Sequence, residues 1–328
     1  MRKRSFLLTF VAASAGVFAA WALFAEDKAP PLPPPPLPAP GVPLRPALIQ
    51  IPDGTYTVGS PKEALDWEGP RRANPSELPQ RRVTISGLWM CETEMTRAQH
   101  LAVMGKNPEG CPEGCAPDQP VDGLGWDGAI QTLNRLTLIE SVALEAEGEP
   151  GLSLCYVQRG DDTLFVPGCT GYRLPTEDEW EVAARAGTTT SWSWGEDPAQ
   201  ADAYAWSRMN TDRALHPVRG LSPNAWGLYD MAGNVSEWVW TQLAATPAAA
   251  PAPTWNVEYA EEWLWNKVIP GSSPVVLPEH TWSKPWRVHR GGNVWSTSAE
   301  LRPASRDDIT GNSPGWLVGL RCARGPTP

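Results

Sequence analysis

The sequence carries too little positive charge to favour a nucleic-acid partner. Its 27 Lys and Arg residues face 37 Asp and Glu residues, so the formal net charge is −10 and the isoelectric point is near 5.0. That balance repels a phosphate backbone, and no basic stripe offsets it. We therefore expect no nucleic acid among its partners.

Histidine and the common catalytic motifs are also scarce. The HExxH, GxSxG and P-loop signatures are absent, which argues against the enzyme classes that depend on them. A non-haem iron site wants two or three His ligands. The four His residues show no ligand spacing, so the fold would have to assemble such a site: His100, His216, His280 and His289. A GxGxxG match at 123–128 follows no buried strand, so we interpret it as a turn before a helix over 129–140.

Long regular helices are not expected. The 36 Pro and 29 Gly residues make up almost a fifth of the 328-residue chain, and both residue types interrupt helices. With 41% apolar residues, the length fits one folded domain plus appendages. We expect that domain to be loop-rich.

Residues 1–28 are predicted to be an export signal. Basic residues precede a 19-residue apolar run, Phe6–Phe24, and acidic residues follow it. The run is long enough to span a bilayer, so a cleaved signal peptide and an uncleaved N-terminal membrane anchor both stay open. The rest of the chain is then periplasmic or extracellular, or membrane-anchored and facing outward.

Residues 29–46 are predicted to be a proline-rich linker. They contain ten Pro residues, which favours an extended spacer with a reach on the order of 50 Å. Recognition by a proline-binding module is the alternative to simple reach. The folded domain is left with residues 47–325.

Six Cys residues follow the export signal, and an even number in an exported chain indicates disulfides. Cys155 and Cys169 flank two short apolar runs separated by a Gly-Asp-Asp turn signal. A hairpin would bring the two Cys within bridging distance. We therefore predict a Cys155–Cys169 disulfide.

The other four Cys residues divide into two further pairs. Cys111 and Cys115 bracket a turn and are predicted to close a small loop. Their CxxxC spacing also fits a metal, but no second pair stands near it to complete four zinc ligands. By elimination, Cys91 pairs with Cys322, which would tie the start of the domain to its end.

Capping signals mark two helices. Thr96 is a predicted N-cap, and its helix should end near Gly105. Thr176 is a second N-cap, with Glu179 at the capping-box position and Gly187 at the end of the helix.

Alternation of apolar residues predicts strands at the start of the domain. The stretch 47–60 alternates on both sides of a turn signal at Asp53-Gly54, which predicts a strand pair.

Residues 243–285 are a predicted insertion, with an Ala/Pro tract followed by a Trp-rich segment. Its Trp255, Trp263 and Trp265 could contact a partner or a sugar. The alternative is that these side chains fold back on the domain, because Trp is usually largely buried.

The stretch Asn224–Trp238, NAWGLYDMAGNVSEW, concentrates the chemistry of the chain. Its aromatic residues can bury themselves around a turn at Gly233-Asn234, while Asp230 and Glu237 lie seven residues apart among small or apolar residues. We interpret it as a tight loop suited to an ion.

These motifs together resemble the formylglycine-generating enzyme (sulfatase-modifying factor) family. The resemblance rests on IPDGTYTVGS, LWMCETEMTRAQ, GYRLPTEDEWEVAARAG, NAWGLYDMAGNVSEW, RVHRGGNVW and GLRCAR, in family order, over about residues 48–324. It implies a single loop-rich α+β domain, a variant of the C-type-lectin fold.

The resemblance also implies where the family's chemistry would lie. Family enzymes oxidise a sulfatase Cys with molecular oxygen and a copper held by two Cys. The corresponding positions here are Ser296 and Leu301, and neither supplies the thiolate that copper(I) requires. We therefore expect no copper and no formylglycine-generating oxidase activity. Cys322 keeps its family position, whereas its usual partner, in the helix before the RLPTE motif, is replaced near Leu133.

The family's calcium loop is better preserved. The resemblance implies side-chain ligands at Asp230 and Glu237 and backbone carbonyl ligands at Gly233 and Val235, all hard oxygen donors. The alternative is that the two carboxylates only accept hydrogen bonds from the loop.

The sequence favours an exported, non-catalytic binding or accessory module with an unidentified protein or carbohydrate ligand and a structural calcium. The alternative is a non-haem metal-dependent oxidase or maturation enzyme of the same family.

Overall fold

A computed structural model describes residues 45–108, 115–159, 162–240, 286–310 and 316–325. All of these belong to one compact unit of the chain. The predicted export signal, most of the linker, Cys111, His280 and the insertion 243–285 with its Trp residues lie outside the described residues. In the described part, no helix is both long enough and apolar enough to cross a membrane.

The described domain is α+β and rich in loops, as predicted. Its helices are α1 (Arg97–Met104), α2 (Trp126–Ala146) and α3 (Glu177–Arg185). Short 3-10 helices cover Lys62–Asp66, Gly69–Arg71, Pro75–Glu77 and Pro198–Ala203. The strands are β1 (Leu48–Gln50), β2 (Gly54–Val58), β3 (Arg81–Ile85), β4 (Trp89–Cys91), β5 (Tyr156–Arg159), β6 (Asp162–Phe165), β7 (Ser236–Trp238), β8 (Trp286–Arg290), β9 (Asp307–Thr310), β10 (Val318–Gly319) and β11 (Ala323–Arg324).

The strands form small sheets with long-range connections. β1 and β11 both pair antiparallel with β4, which lies between them. A second sheet has the order β10-β7-β8-β9, and its β10–β7 pair is parallel. β2 pairs with β3, and β5 pairs with β6, each antiparallel.

The predicted pairing of the two strands within 47–60 is wrong. β1 pairs with β4, whereas β2 pairs with β3. Asp53 does not turn a hairpin; its carboxylate accepts hydrogen bonds from the Gly87 backbone at 2.8 Å and the Ser86 hydroxyl at 3.1 Å. Asp53 thus fastens the β3–β4 connection while the chain passes from one sheet to the other.

The predicted caps of α1 and α3 are confirmed. Thr96 and Thr176 each accept a hydrogen bond from the backbone three residues on, and both capping boxes are complete. Gly105 ends α1 in the left-handed conformation, with φ of 77°. Ala186, rather than Gly187, is the left-handed C-cap of α3, with φ of 47°.

The helix predicted over 129–140 is longer at both ends. α2 begins at Trp126, inside the GxGxxG match, and runs to Ala146. Gly128 is therefore helical, and Trp126 is 1% exposed because its ring packs inward. Packing of this first turn outweighed the glycine signal for a turn.

Two predicted disulfides are present. Cys155–Cys169 closes the loop around the β5–β6 hairpin, and Cys91–Cys322 joins β4 to the segment before β11. Cys115 is also disulfide-bonded, and its predicted partner Cys111 lies outside the described residues.

Two apolar cores hold these elements together. One packs the inner face of α2 against the β4 and β7 region, including Leu133, Leu136 and Trp238. The other packs α3 against β2, β3 and β8, with Trp180 and Ala183 fully buried in it. The loop 224–238 contributes Leu228 and Met231 to the second core, so it is fixed from beneath by packed side chains.

Candidate functional site

The first half of the loop 224–238 is shaped by the side chain of Asn224. Its amide nitrogen donates to the Ala183 carbonyl at 2.8 Å, in α3. Its oxygen accepts from the backbone of Trp226 at 3.0 Å and of Leu228 at 3.2 Å. One buried amide therefore both closes the turn and docks it on α3.

The second half of the loop needs an unusual backbone. Asp230, Gly233 and Asn234 all have positive φ, at 55°, 81° and 56°. A Cβ atom at position 233 would lie 2.1 Å from the Trp206 carbonyl oxygen, so only Gly fits there. The Asn234 backbone nitrogen donates to that same carbonyl at 2.8 Å. The sequence encodes this close approach in Gly233-Asn234.

The two carboxylates predicted as metal ligands are both buried. Asp230 is 5% exposed, and its Oδ2 accepts from the Arg219 backbone nitrogen at 2.8 Å. Glu237 is 1% exposed and faces two donors, Arg321 Nε at 2.9 Å and Trp180 Nε1 at 2.6 Å. Glu237 is therefore already engaged in a buried ion pair.

A third buried carboxylate, which the sequence did not reveal, holds the loop from the opposite side. Glu94, between β4 and α1, is 0% exposed. Its Oε1 accepts from the Val235 backbone nitrogen at 3.0 Å, and its Oε2 accepts from Asn234 Nδ2 at 2.9 Å. The available signal was an acidic residue within the motif LWMCETEMTRAQ, beside residues that proved to be core.

Two of the three carboxylates, Glu94 and Asp230, are costly to ionise where they lie. Burial, and then the charges of Asp230 and Glu237, raise the pKa of Glu94 well above its usual range. Burial also raises the pKa of Asp230, although the Arg219 backbone donates to it. The guanidinium of Arg321, which is 0% exposed, pairs with Glu237. Ionisation of Glu94 or Asp230 therefore adds negative charge to the interior of the domain.

The donor set suits a hard divalent cation. Among the described residues, the backbone hydrogen bonds of loops and turns include none to the carbonyl of Gly233 or of Val235, although both residues are buried. Buried carbonyl and carboxylate oxygens are the ligands that calcium prefers. The described chain holds no cluster of three or more His, Cys, Asp or Glu side chains arranged for a metal. The fit therefore depends on Asp230, whose Oδ2 already accepts a hydrogen bond from the Arg219 backbone, and on the two carbonyls, with Glu237 shared with Arg321.

Ser296 and Leu301, the positions at which the resemblance implies the family's Cys pair, lie elsewhere, after Gly291-Gly292. Ser296 is 7% exposed, and its hydroxyl accepts from the Asn293 backbone at 3.0 Å. Leu301 is 1% exposed and packs with Trp192 in a small apolar cluster. An apolar side chain therefore occupies position 301 as part of a packed core.

Glycine is required between β8 and these positions. Gly291 and Gly292 have φ of 94° and 68°. A Cβ atom on Gly291 would lie 3.1 Å from the Trp180 ring, and one on Gly292 would lie 2.9 Å from Ser296 Oγ. A side chain at either position would therefore meet neighbouring atoms, and the positive φ values also favour Gly.

Leu133 lies in the same core as one of the disulfides. Cys322, Cys91 and Leu133 belong to one apolar cluster, and Leu133 is 0% exposed. Leu133 lies on α2, and Cys322 bonds to Cys91 of β4.

The described His residues do not converge. His100 lies on α1, His216 stacks on Trp206 with ring centroids 3.8 Å apart, and His289 lies on β8. No metal-binding group forms from these residues within the described ranges.

Comparison with known proteins agrees with this arrangement. Residues 38–326 match the Sulfatase-modifying factor enzyme 1-like domain. The chain is similar to Chaperone protein LppX of Paenibacillus barcinonensis, with 28% identity over 219 residues, 60% of this chain and 76% of that protein. It is 26% identical over 315 residues to the Formylglycine-generating enzyme of Mus musculus, which is 86% of this chain and 76% of that enzyme.

A solved structure shows the same architecture. Treponema denticola variable protein 1 superposes with a TM-score of 0.60 at 26% identity, covering 85% of this chain and 95% of that chain. The fold is the sulfatase-modifying-factor variant of the C-type-lectin fold. The domain match, the order of the motifs and the fold lead to one conclusion: the chain belongs to the sulfatase-modifying factor, or formylglycine-generating enzyme, family.

Proposed function

We propose that this chain is an exported, non-catalytic member of the family that acts as a binding or accessory module. The observation that carries the proposal is the side chain of Leu301, which packs with Trp192 in an apolar cluster at 1% exposure. Ser296, the other position, presents a hydroxyl engaged with its own turn. Copper(I) needs thiolates at such a site, and the two positions supply none.

Export is supported by the covalent structure. Cys91–Cys322 and Cys155–Cys169 are disulfides, and disulfides persist in oxidising compartments. The predicted N-terminal signal and the proline-rich linker would then place the domain in the periplasm or outside the cell, released or held at a membrane.

Calcium is proposed as a structural ligand of the loop 224–238. Asp230, Glu237 and the carbonyls of Gly233 and Val235 would hold it. When bound, it would supply two positive charges to a cluster that otherwise carries an excess of negative charge. Glu94 binds the loop backbone from the other side and keeps the turn in place. The role of the ion is to stabilise the loop.

Metal analysis of protein made without a metal-affinity tag tests the proposal. We expect calcium at up to one equivalent and neither copper nor iron at stoichiometric levels after growth with all three metals. A parallel assay would follow conversion of a Cys-containing sulfatase peptide to formylglycine by mass spectrometry. Stoichiometric copper or iron, or peptide conversion, would refute the non-catalytic assignment and favour the oxidase alternative.

A further inference from the structure

Two turns near Ser296 present large side chains to solvent. Trp295 is 56% exposed and Met209 is 67% exposed. The two turns are joined, because the Arg208 backbone nitrogen donates to the Ser296 carbonyl at 3.3 Å. The guanidinium of Arg213 lies over the Trp295 ring, 4.7 Å from its centroid. Apolar and cationic side chains therefore share one surface.

The turn that carries Trp295 is held by its own hydrogen bonds. The Asn293 side chain accepts from the Trp295 backbone at 2.9 Å, and the Ser296 hydroxyl accepts from the Asn293 backbone at 3.0 Å. A turn whose backbone is already fixed loses little backbone conformational entropy when a partner covers it.

The turn that carries Met209 is fixed in the same way. The Asn210 side chain accepts from the Ser207 backbone and donates to the Ala205 carbonyl, both at 2.9 Å. Both turns thus present their exposed side chains from a prearranged backbone.

The charge of this surface differs from that of the whole chain. Arg208 and Arg213 are both exposed, and neither forms an ion pair with a carboxylate of the described residues. One acidic residue, Asp212, accompanies them in the same turn. In a chain with a formal net charge of −10, two guanidinium groups without a carboxylate partner among the described residues, beside exposed Trp and Met, mark a local cationic and apolar patch.

We propose that Arg208, Met209, Arg213 and Trp295, here named the 209/295 surface, bind an acidic peptide segment of a partner protein. Arg pairs with carboxylates through two parallel hydrogen bonds. Trp, Arg and Met are enriched at protein–protein contacts, where aromatic and Arg side chains carry much of the affinity. A peptide that alternates Asp or Glu with apolar residues satisfies both features. The inference names the ligand class for the binding module proposed above and rests on that proposal.

Peptide binding by the intact, disulfide-bonded chain tests the surface. Three fluorescein-labelled peptides of equal length would carry Glu with Leu and Phe, Lys with Leu and Phe, or Ser with Leu and Phe. Fluorescence anisotropy at low salt should show that the Glu peptide binds and that added salt weakens it. The Lys and Ser peptides should bind about tenfold more weakly or worse.

Variants then locate the binding. Trp295→Ala and the double variant Arg208→Glu/Arg213→Glu should each weaken the Glu peptide by about tenfold or more, and the double variant should come to prefer the Lys peptide. Trp316→Ala removes another exposed Trp, 89% exposed, and Arg82→Glu reverses another exposed Arg; both should bind as the wild type does. Thermal melting would verify that every variant is folded.

Several results would overturn the inference. These are no binding of the Glu peptide by the wild type, equal binding by the Trp295 and Arg variants, or a preference for the Lys peptide. An array of oligosaccharides run alongside would oppose it if a sugar bound and Trp295→Ala abolished that binding. Binding of the Glu peptide that depends on Trp316 would remove the surface but keep the binding function. Copper or formylglycine in the metal and conversion assays would remove the proposed function independently of these results.

Discussion

Replacement of the buried Arg321, which contacts the loop 224–238, should destabilise the whole domain. Arg321 is 0% exposed and donates from Nε to Glu237 at 2.9 Å, from Nη1 to the Cys91 carbonyl at 2.9 Å and from Nη2 to the Tyr229 carbonyl at 2.7 Å. It therefore links β4, the loop and β7. The substitution Arg321→Met introduces an unbranched apolar side chain in place of the guanidinium and so removes the charge.

The expected loss is large because Arg321→Met leaves buried carboxylates behind. Removal of one partner of a buried ion pair costs about 3–5 kcal/mol. The total stability of a domain is about 5–15 kcal/mol. Urea unfolding followed by Trp fluorescence, in a calcium chelator, would measure the loss from the midpoint and slope. As a matched control, Arg71→Met removes a pair with Glu196 at 3.9 Å in which both side chains are 49% exposed, and it should cost about 1 kcal/mol or less.

The pH dependence of the Arg321→Met variant gives a second measurement. The pKa values of Glu94 and Asp230 are already raised by burial, and loss of a nearby cation raises them further. A carboxyl whose folded pKa is raised contributes stability that is fully present below its unfolded pKa, about 4, and is lost as pH rises through the folded value. The variant should therefore regain stability on acidification from neutral pH towards pH 5.

A cost of Arg321→Met no larger than that of Arg71→Met, or a stability that did not rise on mild acidification, would contradict a dominant role of the buried charge. A second-site test sharpens this. Adding Glu237→Gln to Arg321→Met removes one uncompensated charge, so the double variant should be more stable than Arg321→Met alone. A double variant that is less stable would mean that packing, rather than charge, dominates the site.

Three further predictions concern the ion, a buried histidine and a disulfide. Calcium at about 100 times its Kd should stabilise the domain by about 2.7 kcal/mol. The variant Asp230→Asn should lose most of this gain, and the exposed control Glu149→Gln should lose none of it. Equal calcium responses of the two variants in a thermal-shift titration would exclude the loop as the site. Burial lowers the pKa of His100 from 6.5 to about 4. Its contribution to the unfolding free energy is therefore present above pH 6.5 and falls by about 3 kcal/mol as the pH drops towards 4. The variant His100→Gln should flatten the pH dependence of stability measured by urea unfolding in this range, and an unchanged pH dependence would contradict this role. The Cys155–Cys169 disulfide spans 14 residues, and replacing both Cys by Ser should lower the unfolding free energy by about 3 kcal/mol, whereas a change below about 1 kcal/mol would show that the β5–β6 hairpin does not depend on it.

Features that depend on neighbouring residues were predictable from the sequence. Thr96 and Thr176 each satisfy backbone groups within one turn, so the residue three positions on completes the evidence. The Cys155–Cys169 bridge followed from a hairpin whose two strands are adjacent in sequence. The pair Gly233-Asn234 predicted a tight turn because few other residues readily adopt a positive φ.

Features that depend on distant segments were not predictable in the same way. β1 and β2 look like a hairpin, but β1 pairs with β4 and β2 pairs with β3, both of which lie further along the chain. Glu94 carries no local mark of a site; its role arises because the fold brings it to the backbone of Val235, with a sequence separation of 141 residues. The ion pair between Arg321 and Glu237 has the same origin, so the electrostatic balance of the loop emerges only in the folded chain.

The central position of β4 has a consequence for the order of assembly. β4 is flanked by β1 and by β11, and the Cys91–Cys322 disulfide beside it joins residues 231 positions apart. Closing so long a loop is slow compared with the 14-residue loop of Cys155–Cys169. During synthesis, β4 stays without one neighbour until β11 has been made, and an open strand edge invites pairing with other chains. The domain thus depends on its last-made segment to close its first sheet, and oxidation of the hairpin disulfide should precede that closure.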